Sequence, residues 1–381
     1  MLMSQSTWAV VFGGPSPEHE ISILTGLQAE RVLVDGGHDV VPIYLAANGA
    51  WFQVPSKSEA KDFLTGAPSG SKELEIVLSS SPGIYAKKGM GKKALEIDAA
   101  LLCFHGGLGE GGGAAALFNF LEIPATGSSV FAGAVGMDKL AFGGLMAQAG
   151  VSSLPREAVL TSQDPSFPGP YIVKPRFGGS SIGIEIVDDI QTARTLLATS
   201  PHLKAGAVLE PYRPELVDLN ISFRTYPQLE LTDLERPLRS EGEKTGLYSY
   251  QEKYLAGGGA GLTHAPREFP ANAPEAIHWR ARELATQVAE VTRLSGIVRV
   301  DLLWDENSGD LFVNEVNTIP GALSLYLWAP KHPALRVLED ALTEAKNHPV
   351  VLPHSGFGQG VALRAAGGIA GKLVGLDGPR G

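Results

Sequence analysis

Two runs near the end of the chain hold the residues best suited to chemistry. They read Val298-Arg299-Val300-Asp301-Leu302-Leu303-Trp304 and Leu311-Phe312-Val313-Asn314-Glu315-Val316-Asn317, and they flank a turn composition, Asp305-Glu306-Asn307-Ser308-Gly309-Asp310. Successive side chains of a strand point to opposite faces, so Arg299 and Asp301 share a face, as do Glu315 and Asn317. A hairpin centred on the turn sets Asp301 opposite Glu315, and cross-strand partners project to one side of the sheet. Two carboxylates, a carboxamide and a guanidinium then crowd one surface. Like charges at that spacing repel unless a cation lies between them. A small set of hard oxygen donors suits Mg²⁺, which commonly shares its shell with substrate phosphates. Acidic residues also populate the solvated face of ordinary antiparallel sheets. What turns this surface toward a Mg²⁺-nucleotide is the Thr318-Ile319-Pro320-Gly321 stretch that follows, together with glycine-rich loops upstream.

The first such loop, Phe177-Gly178-Gly179-Ser180-Ser181-Ile182-Gly183, follows the strand-like Tyr171-Ile172-Val173-Lys174-Pro175. Glycines let the backbone approach a ligand, and successive N–H groups form an anion cradle. Ser180 and Ser181 add donors, and Lys174 stands at the entrance. No Gly-Lys-Ser/Thr follows, so this is not a Walker loop. A second loop, His105 through Gly113, leaves an apolar run at its carboxyl end, where ligands bind in open α/β sheets. His105 there can serve a carboxylate or an oxyanion, or be structural. In the third, Lys253 and Tyr254 precede the glycine run 256–261, a composition shared by mobile lids and by solvated loops.

Elements must position these residues. The 381 residues allow two or three domains, and 44% hydrophobic with 19% charged residues is ordinary for a globular enzyme. A net charge of −10 argues against a nucleic-acid scaffold. The one cysteine, Cys103, lies in an apolar run and reads as a buried strand thiol. The first residues lack a basic start and a long apolar stretch, which predicts a cytoplasmic chain with no signal peptide and no membrane span. Strand 8–13, a glycine turn and a helix from about Glu20 open a doubly wound α/β unit. A strand at 38–45, a buried strand at 97–104 and helices at 114–121 and 134–149 follow, with no assignment in the Ser-, Gly- and Lys-rich 50–95. Short strands are expected at 171–174, 183–187, 207–210, 219–226 and 229–231, around a helix at 190–199. In 274–294, Ile277, Ala281, Leu284, Val288 and Val291 form one apolar helical stripe. A last helix is expected at about 333–346, and the Gly- and Ala-rich tail from Ser355 reads as loosely held.

These pieces, in this order, resemble the D-alanine–D-alanine ligase family of the ATP-grasp superfamily over residues 7–347. The resemblance rests on Phe12-Gly13-Gly14-Pro15-Ser16-Pro17-Glu18-His19-Glu20-Ile21-Ser22, the His105–Glu110 loop, Met137-Asp138-Lys139, Val173-Lys174-Pro175 through Gly183, Lys253-Tyr254, and Arg299-Val300-Asp301 with Asn314 through Gly321. It implies an α/β protein with α+β subdomains: an ATP-grasp fold behind an N-terminal doubly wound α/β domain. The implied division is 1–135 for the N-terminal domain, 136–225 for a central subdomain, 226–350 for a C-terminal domain with the Mg²⁺ site and lid, and a tail at 351–381. It implies an ADP-forming carboxylate–amine ligase that phosphorylates a carboxylate with ATP and lets an amine attack the acyl phosphate. A cytoplasmic homodimer using amino acids, ATP and two Mg²⁺ (or Mn²⁺) is implied, with no nucleic-acid or membrane partner.

Carried over by position, Glu18 holds the first amino acid's ammonium and His105 contacts its carboxylate. Lys139 and Lys174 bind ATP phosphates, Ser180 and Ser181 close over them, Glu210 sits by the adenine and Asp218 by the ribose. Lys253 and Tyr254 belong to the lid. Arg299 stabilises the tetrahedral intermediate, Gly321 offers its N–H to the oxyanion, and Asp301, Glu315 and Asn317 ligate the metals. Three departures stand out: Gly111 where the family has an acidic residue, Gly178 where it has another, and Tyr326 where it has a serine that binds the second amino acid's carboxylate. With Leu327, Tyr326 forms an altered acceptor pocket. The alternatives to the ordinary ligase are therefore a specialised relative using another amine or closing a ring, and a non-catalytic nucleotide-binding protein.

Overall fold

The computed structural model describes residues 6–88, 91–238, 266–347, 360–366 and 368–373. The chain divides into two compact units, residues 1–349 and 350–381. In the smaller unit the described residues form two short helices, Val361–Ala366 and Ala370–Leu373, the first with no buried side chain. The expected loose tail also includes residues 355–359, which lie outside the described residues.

The larger unit opens as the sequence predicts. Strand Thr7–Gly13 is buried past its first residue, because parallel strands are covered on both faces. It pairs in parallel with Asp39–Leu45 and with Ala99–Leu102. Helix His19–Asp35 joins the first two strands and buries Ile21, Ile23, Ala29 and Leu33. The unassigned 50–95 stretch extends this sheet to seven strands through antiparallel Trp51–Gln53, Lys72–Val77, Gly83–Lys88 and Gly91–Ala94. The outermost of these is exposed along its length, so no apolar alternation marked it. Cys103 is buried beyond the end of Ala99–Leu102, and burial pushes its thiol pKa up.

The helix expected at 134–149 is two helices, Val130–Met137 and Lys139–Gln148. Asp138 separates them with an extended backbone, and its carboxylate accepts from the Leu140 and Ala141 N–H groups at 3.1 and 3.2 Å. An aspartate that caps orphan N–H groups starts a helix rather than continuing one.

Two antiparallel sheets follow. The first orders Glu185–Val187, Tyr171–Pro175, Ala207–Pro211 and Glu157–Ala158, with helix Ile190–Thr199 packed beside Val173 and Leu209 in one core. The second orders Glu230–Leu231, Leu216–Arg224, Ile297–Asp305 and Leu311–Asn317. Helix Glu275–Thr292 lays Ile277, Ala281, Leu284 and Val288 against Ile221, Phe223, Val298, Val300 and Leu302. One face of this sheet is therefore core, and the alternate residues point the other way. A short ladder joins Arg236–Pro237 to Arg267–Glu268, and helix Ala334–Asn347 follows the hairpin. Among the described residues no helix is long and apolar enough to cross a membrane.

Candidate active site

The hairpin has the expected register: Asp301 faces Glu315, and Arg299 faces Asn317. Between Asp301 and Leu302 the pairing slips, so that Leu302 faces Val313 and Asn314 has no opposite number. A bulge of this kind re-aims a side chain. Asn314 Oδ1 accepts from Lys174 Nζ at 3.2 Å. The sign was in the sequence, where apolar residues at 311, 313 and 316 break the period of two. Arg299 grips Asp301 with Nε and Nη2 at 2.6 and 2.9 Å, and Asn317 Nδ2 donates to Asp301 at 3.1 Å. Lys139 Nζ lies 2.9 Å from Glu315 Oε2 and donates to the Gly178 carbonyl at 2.7 Å. The break at Asp138 makes this possible, by setting Lys139 at the start of its helix. Arg176, 2.6 Å from the Asp138 carboxylate, anchors that break.

The other sheet supplies the facing wall. Lys174 Nζ meets Glu210 at 2.7 Å, and Arg156 Nε meets the same carboxylate at 2.5 Å. Arg156 also donates to the Lys139 and Asn314 carbonyls, both at 2.9 Å. Burial works to raise the pKa of Glu210, but the charges of Lys174 and then Arg156 outweigh it and hold the carboxyl below its ordinary range. A buried charge persists when it is paired and hydrogen-bonded in this way. Between the sheets runs a cleft of about 190 Å³, lined by Lys174 and Glu210 on one side and Asp218, Asp301 and Glu315 on the other.

At the N-terminal corner, Ser180 and Ser181 line the cleft with left-handed backbones, φ 53° and 59°. Such conformations cost about 1–3 kcal/mol each in non-glycine residues and gather at functional sites. Ser180 Oγ donates a short hydrogen bond to the buried Glu18 carboxylate. Gly106, at φ +66°, presses on that carboxylate: a Cβ there would lie 2.3 Å from Glu18 Oε2. His105 is buried with Nε2 2.8 Å from Thr25 Oγ1. Burial pushes its pKa down to about 4, so the ring is neutral near pH 7. Glu110 accepts from the N–H groups of Gly106 at 2.9 Å and Thr318 at 3.1 Å, tying the two loops together. Burial, reinforced by the nearby Glu18 charge, raises its pKa to about 7.

Beyond the hairpin, Gly321 lines the cleft and Ala322, Leu323 and Ser324 make a left-handed turn at φ 50°, 48° and 50°. The Ala322 N–H donates to Thr25 Oγ1 at 3.2 Å. The turn brings Tyr326 back to the cleft, where its hydroxyl donates to Glu235 at 3.3 Å. Burial, then the Glu235 charge, pushes the pKa of this phenol up.

One cleft thus gathers Glu18, Lys139, Lys174, Ser180, Ser181, Glu210, Asp218, Arg299, Asp301, Glu315, Asn317, Gly321 and Tyr326. His105 and Leu327 are not among its lining residues; Leu327 is fully buried in the protein. Lys253 and Tyr254 lie outside the described residues. Sequence reasoning gave no role to Arg156, Asn314, Glu110, Glu235 and Arg267, although Asn314 and Glu110 lie in segments that carried the family resemblance. Arg156, Glu235 and Arg267 left no local signal. Among the described residues no three His, Cys, Asp or Glu side chains group as a metal site. The hairpin set is instead two carboxylates and a carboxamide, hard oxygen donors on one face, and that donor chemistry fits Mg²⁺.

Comparisons with known proteins agree along most of the length. A family model described as "D-ala D-ala ligase N-terminus" matches residues 7–128, and one described as "D-ala D-ala ligase C-terminus" matches residues 133–333. The D-alanine–D-alanine ligase of Kineococcus radiotolerans is 32% identical over 356 residues, covering 84% of this chain and 91% of that protein. That of Chlorobium limicola is 30% identical over 353 residues, covering 86% and 92%. The crystal structure of VanG D-Ala:D-Ser ligase from Enterococcus faecalis superposes with a TM-score of 0.73 at 21% identity, covering 90% of this chain and 100% of that one.

Proposed function

This chain belongs to the D-alanine–D-alanine ligase family, and from that premise we propose which of its residues carry the reaction. The fold is the ATP-grasp fold, and the activity is that of an ATP-dependent, ADP-forming D-alanine–D-alanine ligase; the sequence relatives, which carry that name, favour neither a specialised acceptor nor a non-catalytic role. The division into 1–135, 136–225, 226–350 and a tail at 351–381 is kept as a proposal, with the pairing of Leu216–Arg224 and Ile297–Asp305 joining the second and third parts. A cytoplasmic homodimer is likewise a proposal resting on the family.

The reaction has two halves. The first D-alanine's carboxylate attacks the γ-phosphate, ADP departs and an acyl phosphate forms. The second D-alanine's amine attacks that carbonyl, phosphate leaves and a peptide bond is made. Glu18 receives the first ammonium, with Ser180 fixing the carboxylate. His105, neutral near pH 7, serves the same corner by hydrogen bonding rather than by charge, and Thr25 links it to the turn after Gly321. Lys139 and Lys174 bind phosphate oxygens, with Ser180 and Ser181 closing over them. Glu210 borders the adenine end and Asp218 the ribose. Asp301, Glu315 and Asn317 would hold Mg²⁺, which when bound supplies charge neutralisation to the phosphates. Arg299, already oriented by Asp301, faces the tetrahedral intermediate, and the Gly321 N–H meets its oxyanion. An acyl phosphate must be kept from water, and for Lys253 and Tyr254, outside the described residues, the lid role rests on the family resemblance alone. Tyr326 borders the acceptor, whereas the expected part of Leu327 is dropped because its side chain is buried in the core.

The observation that carries this reading is the hairpin register. It puts Asp301, Glu315, Arg299 and Asn317 on one face, across a cleft from Lys174 and beside Lys139. The test is release of ADP with ATP, Mg²⁺ and D-alanine, in wild type and in Glu315→Gln. Loss of turnover in a folded variant supports the assignment, and a wild-type rate in it would remove Glu315 from the site.

A further inference from the structure

We infer that Arg267 is the group that receives the carboxylate of the second D-alanine; this rests on the ligase reading above and extends it to a residue outside the set carried over from the family. Arg267, Glu235 and Tyr326 line the same cleft as Gly321 and Arg299. Tyr326 follows Gly321 by one turn of left-handed backbone, and its phenol feels the charges of Glu235 and Arg299. This trio therefore belongs to the end of the cleft where the carbonyl is attacked.

The acceptor arrives as a zwitterion. Its carboxylate must enter a site that already holds Glu18, Asp301 and Glu315. A carboxylate taken out of water needs a charged donor close by. Lys139, Lys174 and Arg299 are assigned to phosphates and to the intermediate. Arg267 is a further cation lining this cleft. Its position is built rather than incidental. Its guanidinium carbon lies 4.3 Å from the centre of the Tyr326 ring, and its Nη1 lies 3.1 Å from Glu235 Oε1. Glu235, only 3% exposed, is itself held by Asn220 Nδ2 at 3.0 Å and the Tyr326 hydroxyl at 3.3 Å. A guanidinium presents five donors in a planar fork, so it can serve a protein carboxylate on one edge and a substrate carboxylate on another. This also accounts for the aromatic residue at 326, where a serine was expected. The serine hydroxyl would bind the carboxylate itself; the phenol ring instead supports the guanidinium that does so.

The experiment uses the full chain with ATP and Mg²⁺ and resolves the Michaelis constants of the two D-alanine sites. Arg267→Ala should raise the acceptor constant roughly 10- to 150-fold, the range of a hydrogen bond to a charged group. The donor and ATP constants should stay within roughly threefold. D-alaninamide, which lacks the carboxylate, supplies the second arm. Wild type should prefer D-alanine to it as acceptor, and Arg267→Ala should lose that preference. Arg267→Lys keeps the charge but not the fork, and should raise the acceptor constant by an intermediate factor; it carries the test should the alanine variant not fold. An acceptor constant unchanged in Arg267→Lys, or a carboxylate preference retained in Arg267→Ala, overturns the inference while leaving the ligase intact. A wild type that makes no dipeptide refutes the ligase reading itself, and this inference with it.

Discussion

Substituting alanine at Gly106 and separately at Gly107 isolates the role of Glu18. Both glycines are left-handed, at φ +66° and +55°. Alanine in that conformation costs about 1–2 kcal/mol, so both variants carry the same backbone penalty. Their surroundings differ. A Cβ on Gly107 meets nothing within 4 Å, whereas one on Gly106 would lie 2.3 Å from Glu18 Oε2 and 2.8 Å from Ser16 Oγ. The carboxylate is the far end of a flexible side chain, so it moves and the fold stays. In moving it loses its bond from Ser180, which adds about 1 kcal/mol to the cost in Gly106→Ala. The catalytic effect is larger. If Glu18 holds the ammonium of the first D-alanine, losing that charged contact costs about 1.5–3 kcal/mol, or roughly 10- to 150-fold in kcat/KM for the donor. Steady-state kinetics with the donor site resolved, alongside thermal melts, make the comparison. Gly106→Ala should fall well below Gly107→Ala in donor kcat/KM with a similar KM for ATP. Equal losses in the two variants would refute the assignment of Glu18.

Glu315→Gln should lower kcat by about 2–4 kcal/mol of transition-state stabilisation, because a neutral amide replaces a charge at the phosphate cluster; the melting curve should change little, since the amide oxygen can still accept from Lys139. Lys174→Ala should raise the KM for ATP at least roughly tenfold more than that for D-alanine, and it should cost stability as well, because Glu210 is then left with Arg156 as its paired cation. The folded-state pKa of His105 lies near 4 against an ordinary 6.5. The unfolded chain therefore binds the extra proton between those values, so stability is full above about pH 6.5 and falls as pH drops toward 4, by about 3 kcal/mol in all. Denaturant titrations of wild type and His105→Gln across that window should show the difference shrinking as pH falls.

The hairpin was legible because three rules coincide there: a period of two, a turn composition between the runs, and side chains too polar for a covered face. Its bulge was partly legible, since Asn314 and Glu315 together interrupt the apolar rhythm. The two helices flanking Asp138 read as one, because Ala134 through Leu140 is apolar enough to continue a helix and the cap is a property of a single side chain. The meander at 51–94 escaped because its outer strands are exposed and carry lysine and glutamate in place of alternating apolar residues. Arg156 and the Glu235–Arg267–Tyr326 group share another cause. Their partners are distant in sequence and meet only when strands pair and a left-handed turn reverses the chain, and no local pattern encodes such a meeting.

The most direct test of the central claim is to incubate the protein with ATP, Mg²⁺ and D-alanine and to measure ADP and D-alanyl-D-alanine in the same sample. The account predicts one dipeptide for each ADP formed, with neither product appearing when D-alanine or Mg²⁺ is withheld. ADP released without dipeptide, or no ADP at millimolar D-alanine, would contradict it.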